Sequence, residues 1–204
     1  MGYAAGHRYE TCAIKNPLII VVEGYSYTIE VNYNLSNKEM RKSFEASPYC
    51  KRVTGPDKIR KLDGSIERSK RSRVASVTIE FCRFESGWSY LEFVLPAIDK
   101  AGYRPIGNEE FLALLGVIKK QKGGDIDVRV VAIKAKWERK CRHDVFGLPY
   151  GKPFNKSFSL CLRLTEDEAL AAYPGLLTFL DFDNDSVYGG HEKGWGDLFP
   201  VIKK

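Results

Sequence analysis

The sequence predicts an α+β fold, with a mixed or antiparallel sheet and three to four short helices. Stretches of alternating apolar and polar residues, typical of half-buried strands, recur along the chain. Helix start signals interrupt them at irregular intervals, so the regular βαβ order of a parallel sheet is absent. With 204 residues, 44% hydrophobic and 28% charged, the chain can bury a core as one domain over residues 1–204.

The amino-terminal part predicts two strands and one helix. We expect strands over residues 18–22 and 25–33, joined by a turn at Glu23-Gly24. Ser36 and Glu39 have capping-box spacing, in which each side chain satisfies the other's backbone N–H. A short helix is therefore expected after the second strand.

Residues 48–73, with Gly-Pro and Asp-Gly turn signals, predict a basic, flexible loop or a loosely held hairpin. Between residues 51 and 73, nine Lys or Arg side chains outnumber three acidic ones. This excess equals the formal net charge of +6 for the whole chain. Any inference about a partner that starts from charge therefore concerns this segment.

The central part predicts a strand followed by two helices. The strand covers residues 73–84, and the first helix covers about residues 89–100, kinked or restarted at Pro96. Gly102 suits the left-handed position that ends such a helix. Asn108 is expected to cap the second helix.

The carboxy-terminal part predicts further strands, a loop and a short helix. A Gly/Pro loop is expected over residues 141–155, and Thr165 opens a helix with a capping-box pattern. The strand over residues 126–137 is apolar on both faces in its middle, so it is expected to be central in its sheet. The predicted strands are residues 126–137, 157–164, 176–182 and 198–202.

A short corner carries a family resemblance. Gly102-Tyr103-Arg104-Pro105, followed by Glu110-Phe111-Leu112-Ala113-Leu114, resembles the G-Y-R-P-x-x-x-x-E-L-L-A-L signature of small uncharacterised bacterial and phage proteins. It is more distantly similar to the G-W-R-L-P-T corner of formylglycine-generating-enzyme-like domains. The resemblance implies a C-type-lectin-like fold in which Arg104 is structural, paired with Glu109 or Glu110. The catalytic cysteine pair of those enzymes has no counterpart here.

Two basic segments, residues 51–73 and 134–142, predict a nucleic-acid or polyanion site. Lys and Arg side chains would follow a phosphate backbone, and Trp137 or Tyr49 would stack on a base. The candidate binding residues are Lys51, Arg52, Lys58, Arg60, Lys61, Arg68, Lys70, Arg71, Arg73, Lys136, Trp137, Arg139 and Lys140.

An acidic loop partly fits a calcium site. Asp181, Asp183, Asp185 and Glu192 stand at positions 1, 3, 5 and 12 of a calcium-loop pattern and would supply oxygen ligands. Ser186 stands where that pattern has glycine, and the flanks are not helical. A solvated turn is the alternative interpretation.

Catalytic patterns are sparse. Cys141, His143 and Asp144 are close in sequence and carry a thiol, an imidazole and a carboxylate. These are the side-chain groups that a cysteine-based hydrolase uses. Sequence adjacency does not establish hydrogen-bond reach between a nucleophile and its base. We therefore expect no enzyme, and keep a cysteine-based or metal-dependent hydrolase as an alternative.

The remaining features indicate a cytoplasmic protein. The five cysteines have no C-x-x-C spacing, and no apolar run is long enough to cross a membrane. The first functional hypothesis is a non-enzymatic protein that binds another macromolecule. By analogy, it would be phage-encoded and act on a host or defence protein complex. Nucleic-acid binding is the second hypothesis.

Overall fold

The computed structural model describes residues 13–50, 65–71, 73–118, 128–143, 149–164, 176–181, 186–189 and 196–204. Within these residues the fold is mixed α+β, with three α-helices and antiparallel sheets, as the sequence predicts. The C-type-lectin-like arrangement stays a prediction. The elements are β1 (Ile19–Asn32), α1 (Asn37–Ala46), a 3-10 turn (Pro48–Cys50), β2 (Ser65–Ile66), β3 (Val74–Phe84), β4 (Trp88–Tyr90), α2 (Leu91–Lys100), β5 (Tyr103–Pro105), α3 (Asn108–Val117), β6 (Val128–His143), β7 (Pro149–Leu164), β8 (Leu176–Asp181), β9 (Ser186–Tyr188) and β10 (Phe199–Lys203).

The first sheet has the strand order β1-β3-β10-β5 and is antiparallel throughout. The turn expected at Glu23-Gly24 is wrong, because β1 runs through these residues as one strand. Its pairing with β3 shifts register between Val21 and Ser26, which marks a bulge. Gly24 lies in this bulge with a φ of 79°. A glycine with positive φ suits a bulge as well as a turn, and the sequence signal is the same for both.

The second sheet has the order β2-β6-β7-β8, so β6 is an interior strand, as expected. The loop predicted over residues 141–155 is wrong for most of its length. Strands β6 and β7 continue into it and pair from Val128↔Leu164 to His143↔Pro149, with register shifts on the way. Gly and Pro residues lie in this hairpin where sequence reasoning expects them to end strands.

A short two-stranded sheet, β4-β9, completes the strand pairing in the described part of the chain. The two larger sheets meet at Leu198, which forms a parallel bridge with Val130. The Val131 N–H donates to the Leu198 carbonyl at 2.7 Å, and the Leu198 N–H donates to the Arg129 carbonyl at 2.8 Å. Backbone hydrogen bonds therefore link β6 of one sheet directly to the residue that precedes β10 of the other.

The buried apolar residues form two clusters. The first contains Phe44 from α1, Phe111 from α3 and Trp137 from β6. The second contains Val94 from α2 and Phe199 from β10. Each fully buried aliphatic or phenyl side chain contributes roughly 1.5–3 kcal/mol through removal from water. The first cluster holds α3 against the sheets and so fixes the position of its amino-terminal end.

The helix boundaries partly match the sequence. The capping box of Ser36 and Glu39 is present at the start of α1, with the Ser36 amide donating to Glu39 at 2.8 Å. Helix α2 continues through Pro96 as one element. The cap of α3 is Gly107 rather than Asn108, whose side chain is hydrogen-bonded elsewhere. None of the helices described is long and apolar enough to span a membrane.

Gly102 and Gly116 provide a matched pair of stability predictions. Gly102 follows α2 with a φ of 85°, whereas Gly116 lies inside α3; a Cβ at either site would meet nothing within 4 Å. Gly102→Ala is expected to lower the unfolding free energy by about 1 kcal/mol through left-handed strain. Gly116→Ala is expected to raise it by about 0.5 kcal/mol through helix propensity. Urea unfolding measures both, and equal effects would contradict this assignment.

Candidate functional site

A cleft of about 250 Å³ opens where the second sheet meets the amino-terminal end of α3. Cationic and anionic side chains line it together. The lining residues are Glu67, Arg68, Ser69, Arg71, Arg104, Pro105, Gly107, Asn108, Glu109, Glu110 and Lys134. We call this the arginine cleft.

Strand pairing brings residues 65–71, the end of the first basic segment, beside the second basic segment at this cleft. Ile66 pairs with Trp137 through β2 and β6, and the Glu67 amide donates to the Lys136 carbonyl at 3.1 Å. Residues 65–71 are thereby laid beside the strand that carries Lys134. The sequence shows these two groups of basic residues as separate. The pairing of β2 with β6 is what places parts of them side by side.

Glu110 is the most heavily hydrogen-bonded carboxylate at the cleft. Arg104 donates to its two oxygens at 2.7 and 3.0 Å, Tyr33 Oη donates at 2.5 Å, and the Gly107 amide donates at 2.8 Å. Burial alone raises the pKa of Glu110, but hydrogen bonds from Arg104, Tyr33 and Gly107 outweigh it and hold the pKa below its ordinary value. The predicted Arg104 ion pair therefore forms with Glu110, and Arg104 is structural.

Asn108 joins α3 to β2 and β6. Its Nδ2 donates to the Glu67 carbonyl at 2.7 Å and to the Lys136 carbonyl at 3.0 Å. Its Oδ1 accepts a hydrogen bond from Trp137 Nε1 at 3.1 Å. Because Asn108 is only 1% exposed, these bonds form away from water and fix residue 67 firmly.

Glu109 fixes the next part of the basic segment. Its Oε1 accepts a hydrogen bond from the Ser69 amide at 3.0 Å and lies 3.9 Å from Arg68 Nε. The Ser69 hydroxyl in turn accepts a hydrogen bond from the Arg71 amide at 3.2 Å. Residues 67–71 therefore follow a defined path over the end of α3.

The guanidinium groups of Arg68 and Arg71 are bound to neutral oxygens. Arg68 donates to the Tyr33 carbonyl at 3.2 Å, and Arg71 donates to Tyr33 Oη at 3.2 Å while lying over the tyrosine ring. The carboxylate oxygens nearest to them among the described residues lie at 3.9 Å, on Glu109, and 4.0 Å, on Glu110. The two side chains are 36% and 44% exposed. Among the described residues each guanidinium therefore makes one hydrogen bond, to an oxygen of Tyr33, and has donors to spare.

A second ion pair with a buried carboxylate joins Arg129 to Asp197. Arg129 donates to both oxygens of Asp197 at 2.7 and 2.6 Å, and the Tyr188 amide donates to the same carboxylate at 2.8 Å. Burial raises the pKa of Asp197 above its ordinary value, against the lowering effect of Arg129. This pair joins β6 to the residues before β10 and has a structural role.

The proposed nucleic-acid residues are only partly brought together. Arg68 and Arg71 line the cleft, Lys70 and Arg73 are exposed nearby, and Lys136 lies on β6. Trp137 is fully buried and Tyr49 is 4% exposed, so neither can stack on a base from its position. Arg139 and Lys140 belong to β6, opposite Lys156 and Asn155. Lys51, Arg52, Lys58, Arg60 and Lys61 lie outside the described residues.

The calcium and catalytic hypotheses fall mostly on parts of the chain that are not described. Asp181 ends β8, whereas Asp183, Asp185 and Glu192 lie outside the described residues. Cys141 and His143 are placed on β6 rather than in a loop, and Asp144 lies outside. Among the residues that are described, no group of three or more metal-ligating side chains lies together.

Two of the cysteines are buried in the fold. Cys82 and Cys161 lie inside strands and behave as small apolar residues. Burial raises the pKa of each thiol to about 12, so neither is a nucleophile at neutral pH.

Comparisons with protein-family models, with curated proteins and with solved structures find no match to this chain. The resemblance of the Gly102 corner therefore stays a prediction. Sequence reasoning missed Tyr33 and Asn108, which organise the cleft. For Asn108 the signal was present as a polar residue at a helix start, and it was interpreted as a cap.

Proposed function

We propose that the chain is a non-enzymatic binding protein that contacts an acidic segment of a partner protein through the arginine cleft. The observation that carries this proposal is the state of Arg68 and Arg71. Both are positioned by neutral oxygens, both are partly exposed, and neither is hydrogen-bonded to a carboxylate of the residues that the structure describes.

The contrast with the other arginines supports a binding role. Arg104 and Arg129 each donate two hydrogen bonds to one buried carboxylate and so use their charge within the fold. A guanidinium that is held in place without a hydrogen bond to a carboxylate can form charge-assisted bonds to an incoming anion with little further ordering. Arg68 and Arg71 meet this condition.

The chemistry of the cleft favours a protein partner over a nucleic acid. Among the described residues that line it there is no aromatic side chain on which a base could stack. Its volume of about 250 Å³ suits a side chain rather than a duplex. The merging of two basic segments is the one observation that favours nucleic acid, which is kept as the second candidate.

The proposal is tested with fluorescent peptides in two matched variants. Arg68→Gln/Arg71→Gln and Lys70→Gln/Arg73→Gln remove the same charge, but only the first pair lines the cleft. We expect Asp/Glu-rich peptides to bind the unmodified chain and the second variant alike. The first variant is expected to bind at least about tenfold more weakly.

Two results would contradict this proposal. Equal loss of affinity in both variants would show unspecific charge attraction. Tighter binding of single-stranded or duplex oligonucleotides than of acidic peptides at the same salt concentration would instead support the nucleic-acid candidate. An origin in a phage and an action on a host complex stay predictions.

A further inference from the structure

We infer that the arginine cleft recognises one phosphate monoester group, carried by a phosphorylated side chain of the partner protein. The inference rests on the proposed function and makes its ligand specific. It follows from the directions of the cationic groups, from their charge balance, and from the carboxylates around them.

The cationic groups reach the cleft from three different elements. Arg68 and Arg71 belong to the 65–71 segment, Arg104 belongs to β5, and Lys134 belongs to β6. Arg104 and Arg71 approach the same oxygen of Glu110, at 2.7 and 4.0 Å, so two guanidinium groups converge on one point. Because Glu110 occupies that point, the donors left for an incoming anion are those of Arg68, Arg71 and Lys134, which belong to two separate segments of the chain.

A phosphate group matches such an arrangement better than a carboxylate does. Its three terminal oxygens point in different directions, so each can accept from a separate guanidinium or ammonium group. A carboxylate offers two oxygens in one plane, which suits a single arginine fork, as Arg104 and Glu110 show. Arginine clusters are a general means of recognising phosphorylated side chains.

The charge balance favours a single anionic group. The described lining holds four cationic side chains, Arg68, Arg71, Arg104 and Lys134, and three carboxylates, Glu67, Glu109 and Glu110. The carboxylates nearest to Arg68 and Arg71 lie at 3.9 and 4.0 Å, beyond hydrogen-bond distance. A phosphorylated side chain, which carries about −1.5 to −2 charges at neutral pH, can accept charge-assisted hydrogen bonds from both guanidinium groups.

The carboxylates limit how many anions the cleft accepts. Glu67 is exposed on the lining, and Glu109 lies beneath Arg68. Both lower the net positive charge of the lining, so the remaining charge is sufficient for one anionic group and not for a second beside it. The cleft is thereby selective for an isolated phosphate group and against a continuous phosphate backbone.

The test compares peptide libraries that differ at one position. The full chain is titrated with degenerate peptides that hold phosphoserine, phosphothreonine or phosphotyrosine at the centre, and with matched libraries that hold serine or glutamate there. We expect at least one phosphorylated library to bind about tenfold or more tightly than both controls. Addition of inorganic phosphate is expected to displace it.

Variants then locate the interaction. Arg71→Gln is expected to weaken phosphopeptide binding by about tenfold to a hundredfold, because it removes charge-assisted hydrogen bonds. Arg71→Lys keeps the charge but loses the planar fork, so it is expected to lose most of the preference for phosphate over glutamate. Lys70→Gln, an exposed neighbour outside the cleft lining, is the control and is expected to bind as the unmodified chain does.

Each other outcome has a definite meaning. Equal binding of phosphorylated and glutamate libraries overturns the phosphate inference and leaves the proposed function intact. Absence of binding by every library overturns both. Tighter binding to oligonucleotides than to any phosphopeptide overturns both in favour of nucleic acid.

Discussion

Glu110→Gln is expected to lower the free energy of unfolding by about 2–3 kcal/mol, one of the two largest effects among these substitutions. Glutamine keeps the shape of the side chain but removes its negative charge. In the unmodified chain Arg104 Nη2 and Tyr33 Oη donate hydrogen bonds to Glu110 Oε1 at 2.7 and 2.5 Å. The carboxylate is 4% exposed, so the guanidinium would lose its partner in a partly buried place. Because Arg104 is 30% exposed, water screens part of that loss, and we expect less than for a fully buried pair.

The pH dependence of this effect has a definite sign. The pKa of Glu110 in the folded chain lies below its ordinary value. Such a carboxylate contributes its full stabilisation above the unfolded-state pKa of about 4.3, and loses it as the pH falls through the lower folded-state pKa. The difference in stability between the unmodified chain and Glu110→Gln is therefore expected to be constant near neutrality and to shrink below about pH 4.

Glu30→Gln serves as the control, because Glu30 is exposed on β1. Urea unfolding of the three proteins at several pH values gives the comparison, and the control is expected to differ by less than about 0.5 kcal/mol. An equal effect of both substitutions would show that only net charge matters. A Glu110 effect that grows on acidification would refute the assigned network.

The Glu110 network could be predicted in part from the sequence. The Arg-Pro corner at residue 104 and the acidic residues at the start of α3 indicate an ion pair, and it forms. Tyr33 could not be predicted, because it directly follows β1, 77 positions away in the chain from Glu110. Local patterns contain no information on which distant strand supplies a third partner.

The sequence also does not show where strands continue through glycine and proline residues. Gly24 is equally compatible with a turn and with a bulge, and the structure selects the bulge because β1 pairs with β3 on both sides of it. The long hairpin of β6 and β7 contains Gly151 and Pro153, which sequence reasoning assigns to a loop. Pairing over many residues overrides such local signals.

The basic segments can be found from the sequence, but the position of the aromatic residue beside them cannot. The sequence identified two basic segments but assigned base stacking to Trp137, an aromatic residue near one of them. The structure buries that indole in the first apolar cluster and uses its N–H to hold Asn108. The sequence therefore shows which segments are basic. It does not show the cleft, which depends on the pairing of β2 with β6.

Asn108→Ala is expected to be the second large effect, with a loss of about 2–3 kcal/mol in unfolding free energy. The substitution removes two donors from the carbonyls of Glu67 and Lys136, and the acceptor of the Trp137 indole. Its consequence extends beyond stability, because Glu67 begins the turn that positions Arg68 and Arg71. Asn37→Ala, at an exposed position in the first turn of α1, is the control and is expected to change little.

Hydrogen exchange separates the two roles of Asn108. If its side chain positions the basic segment, the amides of Glu67 and Ser69 should exchange faster in Asn108→Ala, whereas amides in β3 change only as global stability requires. Binding of an anionic peptide should weaken in the same variant, because Arg68 and Arg71 would have to be ordered again on binding. A variant that loses stability but keeps slow exchange at Glu67 and Ser69 would show that Asn108 only fills the core. The predicted combination, faster local exchange together with weaker binding, would connect the interior of the protein to its cleft through one amide side chain.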